Sequence, residues 1–410
     1  MTEVAPEVAP PVALYIHIPF CVSLCPYCDF VVYAGAAARG PRARVAAFVP
    51  ALLSELDLRA DALDATFGRA RPALETVYLG GGTPSLLPAS AIGEILDRVR
   101  SRFGIPDGAE VTLEANPGPD ERGDAVALRP VGITRLSIGA QAMSAAALRR
   151  LGRRHRVVDV VRTVAEARAA GIASISFDLL YDAPDASVVD WIETLDAALA
   201  LEPDHLSLYA LTLDDPDAEG LTGPGGDHLP TTAGARRWRA NARPSQDEDR
   251  AAAQYHHAVH RLAADGWRGY EISNWARPGH ESRHNLVYWE RRPYEAVGPG
   301  AHAFDGVTRR WNAARLDAYI GALVPVGGGP PALPPGGSEA IDPTTAAAES
   351  VILGLRTDRG VPLEAARTPP LDDAFGWALA AELLDVTHDD RVVLTTRGRL
   401  LSNELFGRLV

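Results

Sequence analysis

The sequence predicts an α/β protein: a partial (β/α)6 barrel of parallel strands, followed by a smaller C-terminal α+β module of winged-helix-like form. Three observations carry this. Six apolar or β-branched runs of strand length recur along the first half of the chain, separated by loops and amphipathic stretches. The pattern dissolves beyond Leu213 into a stretch rich in Gly, Pro, Asp and Arg. A strand-turn-helix pattern closes the chain over Arg391–Val410.

The elements follow in order. Residues 1–12, rich in Pro, Ala and Val, read as a disordered leader. Strands are expected at Leu14–Phe20, Thr76–Leu79, Glu110–Ala115, Arg135–Ala140, Ser174–Leu180 and His205–Leu213. Their near-continuous apolar character is that of parallel strands covered on both faces. Between them, Val45, Phe48, Val49, Leu52, Leu53 and Leu56 mark one helical stripe, with Pro50 a candidate kink. Ile92, Ile95, Leu96 and Val99 mark a second, and Val188, Trp191, Ile192 and Leu195 a third. Six successive units imply right-handed crossovers and a barrel left open on one side. The domain plan is therefore a barrel over 13–250 with an insertion loop at 214–250, an aromatic region over 251–324, a Pro/Gly linker at 325–337, and a C-terminal domain over 338–410.

Composition narrows the function. A chain of 410 residues that is 47% hydrophobic and 23% charged reads as globular. Its net charge of −13 argues against nucleic acid as a partner, even with a winged-helix shape at the end. The basic residues are all Arg, which reads as coding bias. No Lys or Arg precedes Arg39, and no apolar run reaches the roughly 20 residues of a membrane helix, so neither a secretory signal nor a membrane span is expected. The three cysteines lie within eight positions, which excludes a disulfide scaffold and suits a reducing, cytoplasmic setting.

Those cysteines carry the strongest signal. In Tyr15-Ile-His-Ile-Pro-Phe-Cys21-Val-Ser-Leu-Cys25-Pro-Tyr-Cys28-Asp-Phe, three thiolates follow the first strand in a loop. A zinc site wants a fourth ligand, and His17, which could supply it, lies mid-strand. Three soft thiolates with a vacant fourth place suit a 4Fe–4S cubane whose open iron chelates the amine and carboxylate of an amino acid.

Polar residues then recur where strands end, the face on which β/α barrels place their chemistry. Strand two runs into Gly80-Gly81-Gly82-Thr83, where a backbone without side chains admits a ligand closely. Strand three ends at Glu114, suited to ribose hydroxyls, strand four at Gln141 and strand five near Asp178. Arg153 offers a fork for a carboxylate. Singly, each of these also reads as a loop or capping residue.

The Cx3CxxC loop after a first strand, with an aromatic residue before the last Cys, resembles the radical S-adenosylmethionine superfamily, whose fold is a partial β/α barrel. The strand-end positions resemble its porphyrin-related branch, the oxygen-independent coproporphyrinogen III oxidases and the HemW-type heme chaperones. That resemblance implies cofactor contacts for Tyr15, Tyr27, Gly81, Gly82, Thr83, Glu114, Gln141, Arg153 and Asp178, and cluster ligation by Cys21, Cys25 and Cys28. One departure stands out: the family commonly continues as Asp-Leu-Ile-Tyr-Gly-Leu-Pro-Gly, where this chain has Asp178-Leu-Leu-Tyr-Asp182-Ala-Pro-Asp185. The missing glycines put the path of that loop in question.

Within the branch, two features resemble the chaperones. The oxidases usually carry a further Cys two places after the motif, where this chain has Phe30, and they place more chain before the cluster. The block Ser282-Arg-His284-Asn285-Leu-Val-Tyr288-Trp289 resembles the chaperone hallmark His-Asn-x-x-Tyr-Trp. His284 and Tyr288 offer a nitrogen and an oxygen to heme iron, with His302 in reserve. Trp275, Tyr288 and Trp289 offer flat apolar surface, and Arg283 or Arg291 a partner for propionates. The same block also reads as an aromatic, hydrogen-bonded wall joining the second region to the barrel. The resemblance implies a heme chaperone carrying a 4Fe–4S cluster and S-adenosylmethionine and delivering heme to an acceptor protein. Two alternatives stay open. One is radical decarboxylation of coproporphyrinogen III, which would need an electron donor; the other is a cluster used only for redox sensing or partner docking.

Overall fold

The computed structural model describes residues 7–37, 44–213, 221–222, 226–325, 327–367 and 371–409. The six expected strands are present as β1 (Ala13–Ile18), β2 (Thr76–Gly81), β3 (Glu110–Ala115), β4 (Arg135–Gln141), β5 (Ser174–Tyr181) and β6 (His205–Ala210), each parallel to the next. They alternate with α1 (Val45–Phe67), α2 (Ala89–Arg102), α3 (Ala125–Val131), α4 (Ala145–Arg150), α5 (Val157–Ala169) and α6 (Val188–Leu199). The α2 stripe of Ile92, Ile95, Leu96 and Val99 is fully buried, each side chain contributing about 1.5–3 kcal/mol. Helix α1 is continuous through Pro50. Caps read from short polar residues hold other starts: Asp124 accepts the Val126 and Ala127 N–H groups, and Ser187 with Asp190 forms a capping box on α6.

The sheet is wider than six strands. The downstream region adds β7 (Arg268–Gly269), β8 (Asn274–Ala276), β9 (Tyr294–Val297), β10 (His302–Phe304), β11 (Thr308–Asn312) and β12 (Gly336–Ala340). The order across one twelve-stranded sheet is β12-β11-β10-β9-β1-β2-β3-β4-β5-β6-β8-β7. Strand β9 lies parallel beside β1, a seventh parallel strand inside the segment read as an aromatic block. Buried Glu55 of α1 pins this side: it accepts hydrogen bonds from the Gly298 N–H, Asn312 and Tyr319 at 2.7–2.8 Å.

Three expectations change. The last residues of the leader are held, since the Ala9 and Val12 N–H groups donate to the carbonyls of Asp305 and Pro293; residues 1–6 lie outside the described part. The 214–250 insertion contains α7 (Ala233–Ala242), and α8 (Glu248–Ala264) starts within it. The 325–337 stretch leads straight into β12, which pairs with β11. Helices α9 (Arg283–Trp289) and α10 (Leu316–Leu323) lie between these strands, and beyond β12, α11 (Pro343–Arg356) opens a helix–strand–helix–helix–strand–strand series with its own apolar core around Leu355, Phe375, Val392 and Leu405, the winged-helix-like order.

One property of the strands positions everything below. Successive side chains of a strand alternate between faces. Val111 and Leu113, Leu136 and Ile138, Ile175 and Phe177, and Leu206 and Leu208 enter the apolar layer beneath the helices. Thr112 and Glu114, Arg135 and Ser137, Ser176 and Asp178, and Ser207 and Tyr209 face the other way and line a cavity. The strands are therefore covered by helices on one face only, against the expectation of two apolar faces.

Candidate functional site

The cavity has a volume of about 630 Å3 and is walled at one end by the cysteine loop. That loop leaves β1 through a short parallel pairing of Phe20–Cys21 with Tyr33–Ala34 and turns on a Cys28 N–H to Cys25 carbonyl bond of 3.1 Å. Cys21, Cys25 and Cys28 all line the cavity and are partly buried. Cys21 Sγ lies 3.4 Å from the Thr83 hydroxyl, and Arg153 Nη1 donates to Cys25 Sγ at 3.1 Å.

The thiol chemistry fits a cationic cluster. Burial pushes Cys21 up to about 12, and Cys28 further still, with neighbouring sulfurs adding repulsion. Such thiols become ligands only where iron compensates the thiolate charge. Among the described residues no group of three or more His, Cys, Asp or Glu closes on a single metal ion; a cubane, which takes one thiolate per iron, does not ask for that. Two buried polar atoms at this end, Tyr27 OH and Arg153 Nε, have no hydrogen-bond partner among the described residues. They fit a group that is to be bound there.

Around the loop the expected cofactor residues fall into two layers. Tyr27, Gly81, Gly82, Glu114, Gln141, Arg153 and Asp178 line the cavity. Tyr15 and Thr83 do not. Tyr15 donates to, or accepts from, His17 Nδ1 at 3.0 Å and stacks on Tyr78, so it supports the wall from behind. Thr83 holds Cys21 and accepts from Asn116 Nδ2 at 2.9 Å. The glycines serve the strands as much as a ligand: a Cβ on Gly81, whose φ is +106°, would stand 2.4 Å from the His17 ring, and one on Gly82 2.7 Å from the Phe20 carbonyl oxygen. The Gly81 N–H is itself committed to Glu114 Oε2 at 2.9 Å.

Glu114 also accepts from Tyr78 OH at 2.9 Å. Burial pushes its carboxyl up to about 7, with the charge of Asp178 adding to the rise. Asp178 is likewise pushed up by burial, to about 6, while the Ser207 and Ser137 hydroxyls pull it back. Two half-buried carboxyls titrating near neutrality can accept from, or donate to, ribose hydroxyls. Gln141 reaches the site from a left-handed backbone, φ 64°, at an irregularity in the β4–β5 pairing.

The loop after Asp178 follows a path glycines would take. Asp182 and Asp185, at the places of the missing glycines, both hold φ at 53°. Asp tolerates the left-handed region better than most residues. Asp182 is further fixed by an ion pair with Arg250 and by its N–H donating to Gln254 at 2.8 Å.

Sequence reasoning missed several participants. Asn116 bridges Thr83 and Arg153, two residues beyond Glu114 in a segment already singled out. Tyr78, Ser137 and Ser207 were signalled by alternation along their strands. The insertion helix α7 supplies Arg239, buried, whose Nε donates to the Pro26 carbonyl at 3.2 Å and whose Nη2 donates to the Cys28 carbonyl at 3.0 Å. Beside it, Trp238 packs against Tyr27 at 6.1 Å and donates to the Arg150 carbonyl. The stretch expected to be a surface loop thus clamps the cysteine loop.

The His-Asn-x-x-Tyr-Trp block forms α9 (Arg283–Trp289) and splits into two stripes. His284 is buried, its Nδ1 2.8 Å from Thr76 Oγ1 and its Nε2 2.7 Å from Tyr288 OH. Both ring nitrogens are engaged, and burial lowers the imidazole to about 3, keeping it neutral. His284 and Tyr288 therefore bind each other and the β2 wall, and neither lines the cavity. Asn285, on the other stripe, does line it. His302 stands apart: it is partly exposed, with Nε2 2.7 Å from Asp227 and its ring stacked on Trp311.

A three-cysteine loop at the strand ends of a parallel β/α sheet, facing half-buried carboxyls, a glycine turn and a guanidinium, defines the radical S-adenosylmethionine class of protein. The model of the radical SAM superfamily matches residues 15–198. More narrowly, the chain belongs to the HemW family. It is 37% identical over 406 residues to the heme chaperone HemW of Mycobacterium tuberculosis, covering 99% of this chain and 96% of that one. It is 31% identical to the heme chaperone HemW of Bacillus subtilis, covering 96% and 97%. In fold it is similar to the coproporphyrinogen III oxidase HemN of Escherichia coli, with a TM-score of 0.78 at 21% identity over 99% of this chain and 91% of that one. Among the described residues no helix is long and apolar enough to cross a membrane.

Proposed function

We propose that this chain is a heme chaperone of the reducing cytoplasm, which binds heme and passes it to an acceptor protein. The observation that carries the reading is end-to-end similarity to proteins that bear that name. Phe30 agrees with it: where an oxidase would place another Cys, a ring that is 63% exposed stands at the mouth of the cavity, an apolar surface offered outward.

Cys21, Cys25 and Cys28 would hold a 4Fe–4S cluster, and Glu114, Gln141, Arg153 and Asp178, with Tyr27 and the Gly81–Gly82 backbone, would hold S-adenosylmethionine beside it. When bound, that pair supplies one-electron reductive chemistry. The chain's own residues orient it. Arg153 ties Cys25, Asn116 and the Gly139 carbonyl into one network, and Glu114 is set by Tyr78 and Gly81.

The three candidate heme ligands differ in access. His284 and Tyr288 are paired with each other, so iron ligation by either means breaking a buried hydrogen bond. His302 is accessible, and Asp227 on its far nitrogen orients the ring, as second-shell carboxylates do for ligating imidazoles. This reverses the order in which the sequence ranks them. The test is a heme titration of the anaerobically reconstituted protein, alongside His302→Ala. Saturable 1:1 binding with a shifted Soret band, weakened in the variant, supports the reading. Absence of saturable binding overturns it, and decarboxylation of coproporphyrinogen III with S-adenosylmethionine and a reductant would then replace it.

A further inference from the structure

The cavity is longer than the cofactor set explains. On β4 its lining runs from Gln141, at the cluster end, to Arg135, the first residue of the strand. Six steps of about 3.3 Å place these ends roughly 20 Å apart. The lower end is built from the starts of β3 and β4, from Asn285 of α9, and from Arg356 at the close of α11.

This lower end holds polar atoms that nothing among the described residues satisfies. Arg135 is 3% exposed; its Nη1 donates to Ser174 and to the His280 carbonyl, but its Nη2 has no partner. Thr112, fully buried beside it on β3, has an unpartnered hydroxyl, and Arg356 has an unpartnered Nε while its guanidinium lies 4.6 Å above the Trp289 ring. The nearest acid does not answer Arg135. A Glu110 oxygen lies 3.9 Å from Nη1, beyond hydrogen-bond reach, and Glu110 already accepts the Arg283 and His284 N–H groups. Asp178, higher in the cavity, is engaged by Ser137 and Ser207. Two arginines that line one cavity each keep a guanidinium N–H without an acceptor among the described residues, which asks for an anionic acceptor, since leaving such a donor unmet is costly.

We propose that the lower end of the cavity is a carboxylate subsite, in which Arg135 and Thr112, flanked by Asn285 and Arg356, hold the acid group of a ligand whose body extends toward the cysteine loop. A propionate side chain of a tetrapyrrole has that chemistry, and so does the amino-acid carboxylate of an S-adenosylmethionine turned away from the cysteine loop, an orientation opposite to the one proposed above for the cofactor on the cluster. The tetrapyrrole source rests on the heme-chaperone reading; the other does not.

The test titrates three probes into cluster-reconstituted wild type and Arg135→Gln: heme, heme dimethyl ester (both propionates capped) and S-adenosylmethionine. A charge-assisted hydrogen bond is worth roughly tenfold to a hundredfold in affinity. If a propionate occupies the subsite, wild type prefers heme to its ester by that factor, and the variant loses the preference while binding S-adenosylmethionine unchanged. If the cofactor's carboxylate occupies it, the variant weakens S-adenosylmethionine by that factor instead. Should neither probe's affinity depend on Arg135, the subsite is overturned. Wild type that binds no heme defeats the chaperone reading alone, and the S-adenosylmethionine comparison still decides the subsite. Since Arg135→Gln strips Glu110 of its nearest cation, Thr112→Val, which keeps shape and removes one hydroxyl, is run in parallel; the same probe should weaken roughly two- to tenfold.

Discussion

Arg239 offers a sharp trial of how the cysteine loop is held. Its guanidinium joins α7 to the carbonyls of Pro26 and Cys28 by bonds of 3.2 and 3.0 Å, and the residue is 4% exposed. Hydrogen bonds to a charged group contribute about 1.5–3 kcal/mol each. Arg239→Met keeps most of the apolar stem and removes both. Allowing for water reaching the freed carbonyls, the loop loses on the order of 3 kcal/mol of ordering, about a hundredfold in its opening equilibrium. Cluster loss proceeds through that opening, so the half-life of the cluster in air or under an iron chelator should fall at least tenfold. Decay of the absorbance near 400 nm, with iron and sulfide counted per chain, measures it. The same loss counts against global unfolding, but in a chain of this size it should lower the melting temperature by only a few degrees. An unchanged cluster half-life in a folded Arg239→Met protein would refute the clamp.

Other expectations follow from the same geometry. His284→Ala removes a buried ring bonded at both nitrogens, so it should cost about 2–4 kcal/mol in chemical denaturation, whereas His302→Ala should leave stability nearly unchanged and weaken heme binding. Glu114 is raised in the fold, so its contribution is fully present below pH ~4.5 and is lost as pH rises through about 7; Glu114→Gln should flatten that decline in melting temperature of the cluster-free protein between pH 5 and 8. At Asp185, with φ at 53°, Asp185→Gly should be about 1–2 kcal/mol more stable than Asp185→Ala in urea, since only Ala meets the left-handed penalty.

Much of this was legible in the sequence for a physical reason. The parallel strands and α1, α2 and α6 announce themselves because burial demands unbroken apolar stripes. The three cysteines do so because few other chemistries need that spacing. Less visible was the meaning of Thr-Leu-Glu, Ser-Ile-Ser-Phe-Asp and His-Leu-Ser-Leu-Tyr, whose alternation marks a polar cavity face but which pass for apolar runs when only their hydrophobic members are counted. Strand β9 is four residues long and gains its identity from a neighbour some 280 positions earlier. Helix α7 is short and Arg-rich, and its role appears only when Arg239 meets the Pro26 and Cys28 carbonyls. His284 looks like a free ligand until Thr76, 208 positions away, takes one of its nitrogens. Local pattern writes elements; partners distant in sequence decide what a side chain is free to do.

The measurement closest to the central claim is heme transfer. Heme-loaded, cluster-reconstituted protein is mixed with a heme-free cytochrome from the same organism, and the rate is compared with release into a bulk heme scavenger. Transfer that exceeds passive release and rises with acceptor concentration is the expected result. A rate equal to passive release, whatever the acceptor, would contradict the chaperone reading.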